Sequence, residues 1–343
     1  MKKKCLALLS GGLDSKLAIK IMQAQGIEVE ALSFKTQFNC CKDEAGQAAR
    51  ELGVQVTQLT TDEEYLKMIE KPVYGYGRGV NPCTDCRIHM FSLAAKFMDK
   101  VGASFMVSGE VVGQRPNSQL KRQLSIIDRD TQLEGLLVRP LSAKLLPPTK
   151  PEIEGILDRE KMYGISGRSR KELIQLAHEF GITNIPSPST GCLLTEEDFG
   201  VRVKDMFQHQ EKYDRWDFDI LKFGRHFRFS EDTKAVLGKS LDQNLKLEAL
   251  HEPGRSMFFR PENFYGPGAL LSGNCTEEAK AWVTQLILHY SKNDRLAKDE
   301  LPNIEYFVNK EAEYVQVKAD PLFNAEDFAF ETRAFKKEKI EEK

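Results

Sequence analysis

Three short stretches hold the residue types from which chemistry could be built. Ser10-Gly11-Gly12-Leu13-Asp14-Ser15 follows the apolar run 5–9 and precedes an amphipathic stretch, 13–25. Small residues at such a junction let backbone amides and a helix N-terminus approach an anion closely, so the loop reads as a phosphate cradle rather than a plain turn. It contains neither G-x-x-x-x-G-K-[ST] nor G-x-G-x-x-G. Asn81-Pro82-Cys83-Thr84-Asp85-Cys86 sets two thiols just before a helix, whose dipole favours thiolates. A third thiol, Cys192, lies in the turn Ser189-Thr190-Gly191-Cys192-Leu193-Leu194. Three cysteines can hold a 4Fe–4S cluster with one iron open to hydrosulfide, whereas a structural zinc would need a fourth ligand. Zinc remains the alternative at this point.

The elements that must position these residues follow from periodicity. Apolar runs at 5–9, 28–34, 54–59 and 105–107 alternate with helical spacing at 13–25, 43–52 and 88–100, with Gly26 and Gly53 as stops. That pattern predicts an α/β fold with a Rossmann-like parallel sheet and flanking helices. Residues 114–171 differ in texture, with five prolines and 12 basic against 7 acidic residues, a local positive surplus. Ser169 is expected to cap a helix over 170–180. A smaller α+β unit is expected over 213–335. Its strands are predicted at 221–229, 257–259, 269–272 and 306–317, and its helices at 242–250 and 277–290. A charged tail is expected at 336–343. The first domain is expected to span 1–205.

Composition bounds the rest. The 343 residues carry 49 basic and 51 acidic side chains, a net charge of −2, so the chain as a whole is no polyanion binder and positive charge must act locally. The longest uncharged run, 180–195, contains two prolines and predicts no membrane-spanning helix. Lys2-Lys3-Lys4 and the next five apolar residues imitate a secretory signal, but Gly11, Gly12 and Asp14 cut it short. Seven cysteines, an odd number, suit a reducing cytoplasm in which thiols serve metal or redox chemistry. Cys40-Cys41 are adjacent and cannot easily chelate one ion. Cys5 and Cys275 read as packing residues, and His89 as a surface or packing residue.

The S-G-G-L-D-S loop resembles the signature of the PP-loop ATP pyrophosphatases, a HUP-type fold family that activates an oxygen by adenylylation. With N-P-C-x-x-C at 81–86 and G-C-L-L-T at 191–195, the resemblance sharpens to the tRNA thiouridine synthetases over about residues 1–205. It implies ATP binding by Ser10, Gly11, Gly12, Asp14, Ser15, Phe34 and Gly109, with Mg2+ as companion ion and Asp14 positioning metal or phosphate. It also implies Cys86 and Cys192 as the catalytic thiols. Many bacterial 2-thiouridine enzymes carry an aspartate where this chain has Cys83, and this departure favours the three-cysteine type, with Cys83, Cys86 and Cys192 as cluster ligands. Residues 109–116 with Arg139-Pro140-Leu141-Ser142 look like a 4-thiouridine-synthase-like branch. No separate N-terminal RNA-binding domain is expected, and Glu110 stands where a histidine is common. Phe223-Gly224-Arg225 and Gly238-Lys239-Ser240 resemble the RNA-binding segment of NFACT proteins.

The expected activity is therefore ATP-dependent tRNA sulfur transfer, fed by a cysteine desulfurase or inorganic sulfide. Arg115, Arg139, Lys144, Arg168, Arg170 and Lys171 are the expected grips on RNA phosphates. The rivals are a nitrogen-transferring PP-loop ligase with structural zinc and a non-catalytic, ATP-responsive RNA-binding adaptor. Metal analysis and tRNA-stimulated ATP turnover separate them.

Overall fold

Short apolar strands that are buried on both faces can lie only in the middle of a layered sheet, and the first unit is built that way. In the computed structural model the described residues are 3–39, 43–187, 191–291, 300–308 and 312–329. Cys40, Cys41, Ser189, Thr190 and the tail 336–343 lie outside them. The chain divides into two units, Met1–Thr195 and Glu196–Lys343.

The first unit runs β1 (Lys4–Leu8), α1 (Leu13–Ala24), β2 (Glu28–Lys35), α2 (Glu44–Leu52), β3 (Gln55–Thr60), α3 (Glu63–Glu70), α4 (Cys83–Lys100), β4 (Phe105–Val107), α5 (Lys121–Asp130), β5 (Leu137–Val138), α6 (Lys150–Ile153) and α7 (Lys171–Glu179). The strands form one sheet in the order β3-β2-β1-β4-β5, with every pairing parallel. Cys5 and Ala7 of β1 join Leu17, Ile21, Ala48, Leu173 and Leu176 in a core under α1, α2 and α7. Burying one such leucine or isoleucine contributes about 1.5–3 kcal/mol. Burial pushes the Cys5 thiol up to about 12, in keeping with a packing role.

Three helices here, α3, α5 and the short α6, lie outside the expected pattern. Asp62 caps α3 by accepting from the Tyr65 amide, and α5 hides Leu124 and Ile127 beneath a strongly charged outer face. Helix α4 starts at Cys83 rather than near residue 88, because Pro82 serves as its N-cap and both thiols enter its first turn. The Ser169 hydroxyl does accept from the Lys171 amide, at 3.4 Å, but Arg170 is the residue at the N-cap of α7.

The second unit holds α8 (Glu197–His209), α9 (Arg215–Ile220), β6 (Arg225–Arg228), β7 (Lys234–Leu237), α10 (Leu241–Ala249), β8 (Ser256–Pro261), β9 (Ala269–Ser272), α11 (Glu277–His289), β10 (Asn303–Phe307) and β11 (Ala312–Gln316). Its antiparallel sheet has the order β11-β10-β8-β9-β7-β6. One strand had been expected over 221–229, but helix α9 ends just before it and only Arg225–Arg228 is extended. Asp214 and Asp217 form a capping box that drives that helix. One sheet face packs Phe227, Leu237, Phe259 and Leu271 against Trp282, Val283 and Leu286 of α11. Residues on other surfaces of this unit form a buried polar group: His226, Lys234, Arg202, Asp205 and Asp217. Both units agree with the expected α/β class, a parallel Rossmann-like sheet followed by a separate α+β unit.

Candidate active site

In the order β3-β2-β1-β4-β5 the chain reverses its direction of sheet growth between β1 and β4, and the crevice beyond the carboxyl ends of those strands is where open α/β sheets bind ligands. The glycine loop leaves β1 at that point. Gly12 is the N-cap of α1 without any side-chain cap, so amides of the first turn remain for an anion. Gly11 has φ +84, and a Cβ there would lie 2.6 Å from the carbonyl carbon of Glu44. The loop is stapled by its own hydroxyls. Ser10 Oγ accepts from the Gly12 amide at 3.3 Å, and Ser15 Oγ donates to the Gly12 carbonyl at 2.8 Å.

Gly109, just past β4, closes the other wall. A Cβ on it would stand 2.5 Å from the carbonyl carbon of Asp14 and 2.6 Å from the Ser15 nitrogen. Only glycine permits this approach. Burial raises the Asp14 carboxyl above its usual range, opposed by a hydrogen bond with Gln114 and by the charges of Arg170 and Arg115. Phe34 is half-buried near the end of β2, paired with Leu59 and one strand away from the loop.

The cysteine motif is braced at each residue. Asn81 is buried, accepts from the Gly79 amide at 3.0 Å and donates to Cys83 Sγ at 3.1 Å. Thr84 donates to the Asn117 carbonyl, and Asp85 accepts from the Val73 amide at 2.7 Å. Cys83 and Cys86 sit three apart in one helical turn, hence on neighbouring positions of one face. Cys192 arrives from far along the chain. Its turn is pinned by Leu193 donating to the Phe38 carbonyl at 3.1 Å and by Val80 donating to the Leu194 carbonyl at 3.0 Å.

Tyr65, at 1% exposure, fills the space behind the thiols, with its hydroxyl 3.4 Å from Cys86 Sγ. Burial drives the phenol well above its usual range, and the charges of Cys86, Cys192 and Cys83 all add to that shift. The three sulfurs therefore lie within electrostatic reach of one phenol. Burial also raises the Cys86 thiol, while the Tyr65 hydrogen bond and the Arg87 charge pull it back.

Arg115 joins the two halves of the site. It keeps an exposed surface, yet its guanidinium is crowded enough that desolvation and Arg87 lower its pKa, while Asp14, Cys83 and Cys192 act on it in the opposite sense. One cation thus feels both the phosphate-loop aspartate and two of the thiols. Arg87 is itself 3.7 Å from Glu110 Oε1, and Glu110 accepts from Arg139 Nε at 3.0 Å.

That last contact corrects one expectation. Arg139 has a side chain only 2% exposed, and its remaining nitrogens bond both Asp128 oxygens, at 2.9 and 2.7 Å. Its charge is spent inside the fold and is not presented to an RNA phosphate. Arg170 is half-buried, donates to the Pro186 carbonyl at 3.0 Å and acts on Asp14, which puts it beside the phosphate loop. Lys144 pairs with exposed Glu160 at 2.9 Å, a contact that water largely screens. Arg168 and Lys171 are exposed. Sequence reading missed Tyr65 and Arg87 and took Arg115 for an RNA grip. The position of Arg87 directly after Cys86 was the one available signal.

Among the described residues, no three Cys, His, Asp or Glu side chains converge tightly enough to hold a metal ion as they stand. The three thiols are soft donors, two on one helical turn and one on the loop that Leu193 and Leu194 tie down by backbone bonds. Likewise, among the described residues no helix is long and apolar enough to cross a membrane.

The first unit is a Rossmann-like α/β fold with a glycine loop leaving the carboxyl end of its central strand β1. Residues 3–134 match the family model described as tRNA methyl transferase HUP domain, and residues 224–330 match that of the NFACT protein RNA binding domain. The chain is 33% identical over 121 residues to the tRNA-specific 2-thiouridylase MnmA of Sulfurimonas denitrificans, covering 33% of this chain and 36% of that protein. It is 24% identical over 212 residues to the protein of the same name from a Synechococcus strain, covering 58% and 54%. A solved 4-thiouridine synthetase–RNA complex with bound ATP shares 22% identity, covering 52% of this chain and 51% of that one, with TM-score 0.34. The chain thus spans about a third to a half of the length of these curated relatives. Residues 3–134 are thus similar to the tRNA methyl transferase HUP domain and residues 224–330 to the NFACT RNA binding domain.

Proposed function

We propose that the protein is an ATP-dependent tRNA sulfurtransferase acting on uridine. The observation that supports the reading is the glycine loop of Gly11, Gly12 and Asp14, which Gly109 closes at a distance only glycine allows, within residues 3–134 that match the tRNA methyl transferase HUP domain model. In the proposed reaction the uridine carbonyl oxygen attacks the α-phosphorus of ATP and pyrophosphate leaves. Hydrosulfide then attacks the activated carbon, AMP departs with the original oxygen, and a thiocarbonyl remains. No net oxidation occurs.

The loop amides and the first turn of α1 would hold the leaving pyrophosphate, with Asp14 placing Mg2+ and Arg170 and Arg115 balancing charge. Cys83, Cys86 and Cys192 would be the ligands of a 4Fe–4S cluster, which when bound supplies one open iron for a sulfur ligand. Tyr65, through its contact with Cys86, and Arg87, through its charge, would favour the thiolate that a metal ligand requires. Arg168, Lys144 and Lys171 remain as surface contacts for RNA phosphates, and the second unit adds an RNA-binding surface by its family likeness. The proposed setting is the cytoplasm, with a desulfurase or inorganic sulfide as donor.

Anaerobically purified protein should show cluster absorbance, iron and labile sulfide. Cys83→Ala, Cys86→Ala and Cys192→Ala should each lose the cluster and thiolation of tRNA. Full activity in all three variants overturns the mechanism, and zinc without iron or sulfide overturns the cluster assignment.

A further inference from the structure

An open cavity of about 600 Å³ in the first unit is lined by residues that the reaction above leaves unused: Tyr74, Arg122, Ser125, Ile126, Arg129 and Glu134. Four of these fall at i, i+3, i+4 and i+7 of α5, so they form one continuous face of that helix, opposite the buried Leu124 and Ile127. The fifth wall is aromatic. Tyr74 is fixed from both ends: its amide donates to Asp85 Oδ2 at 3.1 Å, and its hydroxyl bonds Asp130 and accepts from Arg129 Nη2 at 3.0 Å.

The lining sorts by chemistry. Tyr74 and Ile126 offer an apolar wall on which a planar ring can lie. Glu134 and Ser125 can take hydrogen bonds from the edge of such a ring. Asp130 neutralises Arg129 at 2.8 Å, whereas Arg122 has no ion-pair partner among the described residues and is the cation left for an anion. A ring with polar edges joined to a phosphate is a nucleotide. Asp85, which holds Tyr74, lies between Cys83 and Cys86 in the same helical turn, so the aromatic wall is anchored to the thiol motif itself.

We propose that this cavity is a subsite for one unpaired nucleotide of the RNA substrate, with the base against Tyr74 and Ile126 and the phosphate on Arg122. It rests on the reading that RNA is the substrate, and it adds a base-reading contact to surfaces expected only to grip the backbone. Base stacking on a fixed tyrosine tolerates many sequences, while the carboxylate favours bases that present an amino or imino hydrogen.

The test is fluorescence anisotropy of the full chain with a labelled, unmodified tRNA transcript at several salt concentrations, with ATP binding measured in parallel. Arg122→Glu should weaken tRNA binding at least tenfold and reduce the slope of log K against log salt by roughly the 0.7–0.9 expected for one phosphate. Tyr74→Ala should weaken binding about tenfold, in the range of one lost stacking contact, and Tyr74→Phe should restore most of it. ATP affinity should not change in any variant. Wild-type binding with unaltered affinity and salt slope in Arg122→Glu and Tyr74→Ala overturns the subsite and leaves the proposed function standing. Wild-type protein that binds no tRNA overturns both, and binding weakened in these variants without any thiolating activity in wild type supports the subsite while overturning the function. Competition by free mononucleotides as strong as by RNA would show a nucleotide site unconnected with RNA, and would overturn the proposal.

Discussion

The hydroxyl of Tyr65 lies 3.4 Å from the sulfur of Cys86, inside a pocket where the tyrosine is almost wholly enclosed. Its ring packs against Phe38 at 6.3 Å and His89 at 5.5 Å between centroids. Because burial holds the phenol protonated far above its usual range, the hydroxyl stays a donor wherever the thiol titrates. A charged sulfur accepts such a bond more strongly than a neutral one, so the contact favours thiolate.

Tyr65→Phe should therefore move the titration of Cys86 further up. Burial already raises this thiol, and removing the hydrogen bond leaves only the Arg87 charge to oppose it. Peptide-resolved iodoacetamide labelling across pH 6–10 should show the Cys86 profile displaced to higher pH and several-fold slower labelling near pH 8. An unchanged profile would mean that the sulfur does not sense the phenol.

Gly109→Ala tests the closeness of the two loops. The added methyl would press on the backbone of Asp14 and Ser15 at 2.5–2.6 Å, where real Cβ contacts do not occur, so the first turn of α1 must shift. ATP affinity measured by calorimetry should fall at least tenfold, because anion binding depends on where those amides point. Affinity within twofold of wild type would place the nucleotide elsewhere.

Arg139 and Arg115 should part company on stability and activity. Arg139→Met strands the carboxylates of Glu110 and Asp128 and should cost about 3–5 kcal/mol in denaturant unfolding. Arg115→Met should change stability by less than about 1 kcal/mol, as expected at an exposed position, yet lower thiolation at least tenfold. Equal effects of both variants on unfolding would contradict the division.

Lys234 gives the second unit a pH dependence of definite sign. Burial lowers this amine from 10.5 to about 8, against the pull of Asp217 and Asp205, and among the described residues its Nζ has no hydrogen-bond partner. Between pH 8 and 10.5 the unfolded chain holds the proton that the folded chain has lost, so this group makes stability rise with pH across that window. Below pH 8 its full penalty is present. Lys234→Met should accordingly stabilise the protein at pH 7 by on the order of 1–3 kcal/mol, with the gain shrinking toward pH 10. Urea melts at pH 7 and 10 decide the matter, and a gain that grows with pH would refute it.

Much of the first unit was legible in the chain because its signals are local. An apolar run, a glycine pair and an amphipathic stretch in immediate succession specify strand, turn and helix by backbone sterics alone. Gly11 and Gly12 mark the phosphate loop without reference to anything distant. The start of α4 was read several residues late because Pro82 was taken with the loop, although proline readily occupies a helix start. Helix α5 was hidden by the prolines and charges around it, since its apolar stripe is only Leu124 and Ile127.

By itself, the sequence determined the parallel α/β layering and the glycine turn between β1 and α1, since residue type and short spacing suffice for these. Tertiary structure alone decided which side chains share the site. The turn that carries Cys192 is tied to distant segments by the backbone bonds of Leu193 to Phe38 and of Val80 to Leu194, and Tyr65 meets Cys86 when α3 packs on α4. The arginines make the physical reason plain. Arg115 and Arg139 are equivalent as letters, but one keeps its charge at the crevice while the other spends it on Glu110 and Asp128. Burial and pairing, which set what a charge can do, are properties of the folded neighbourhood and not of the residue.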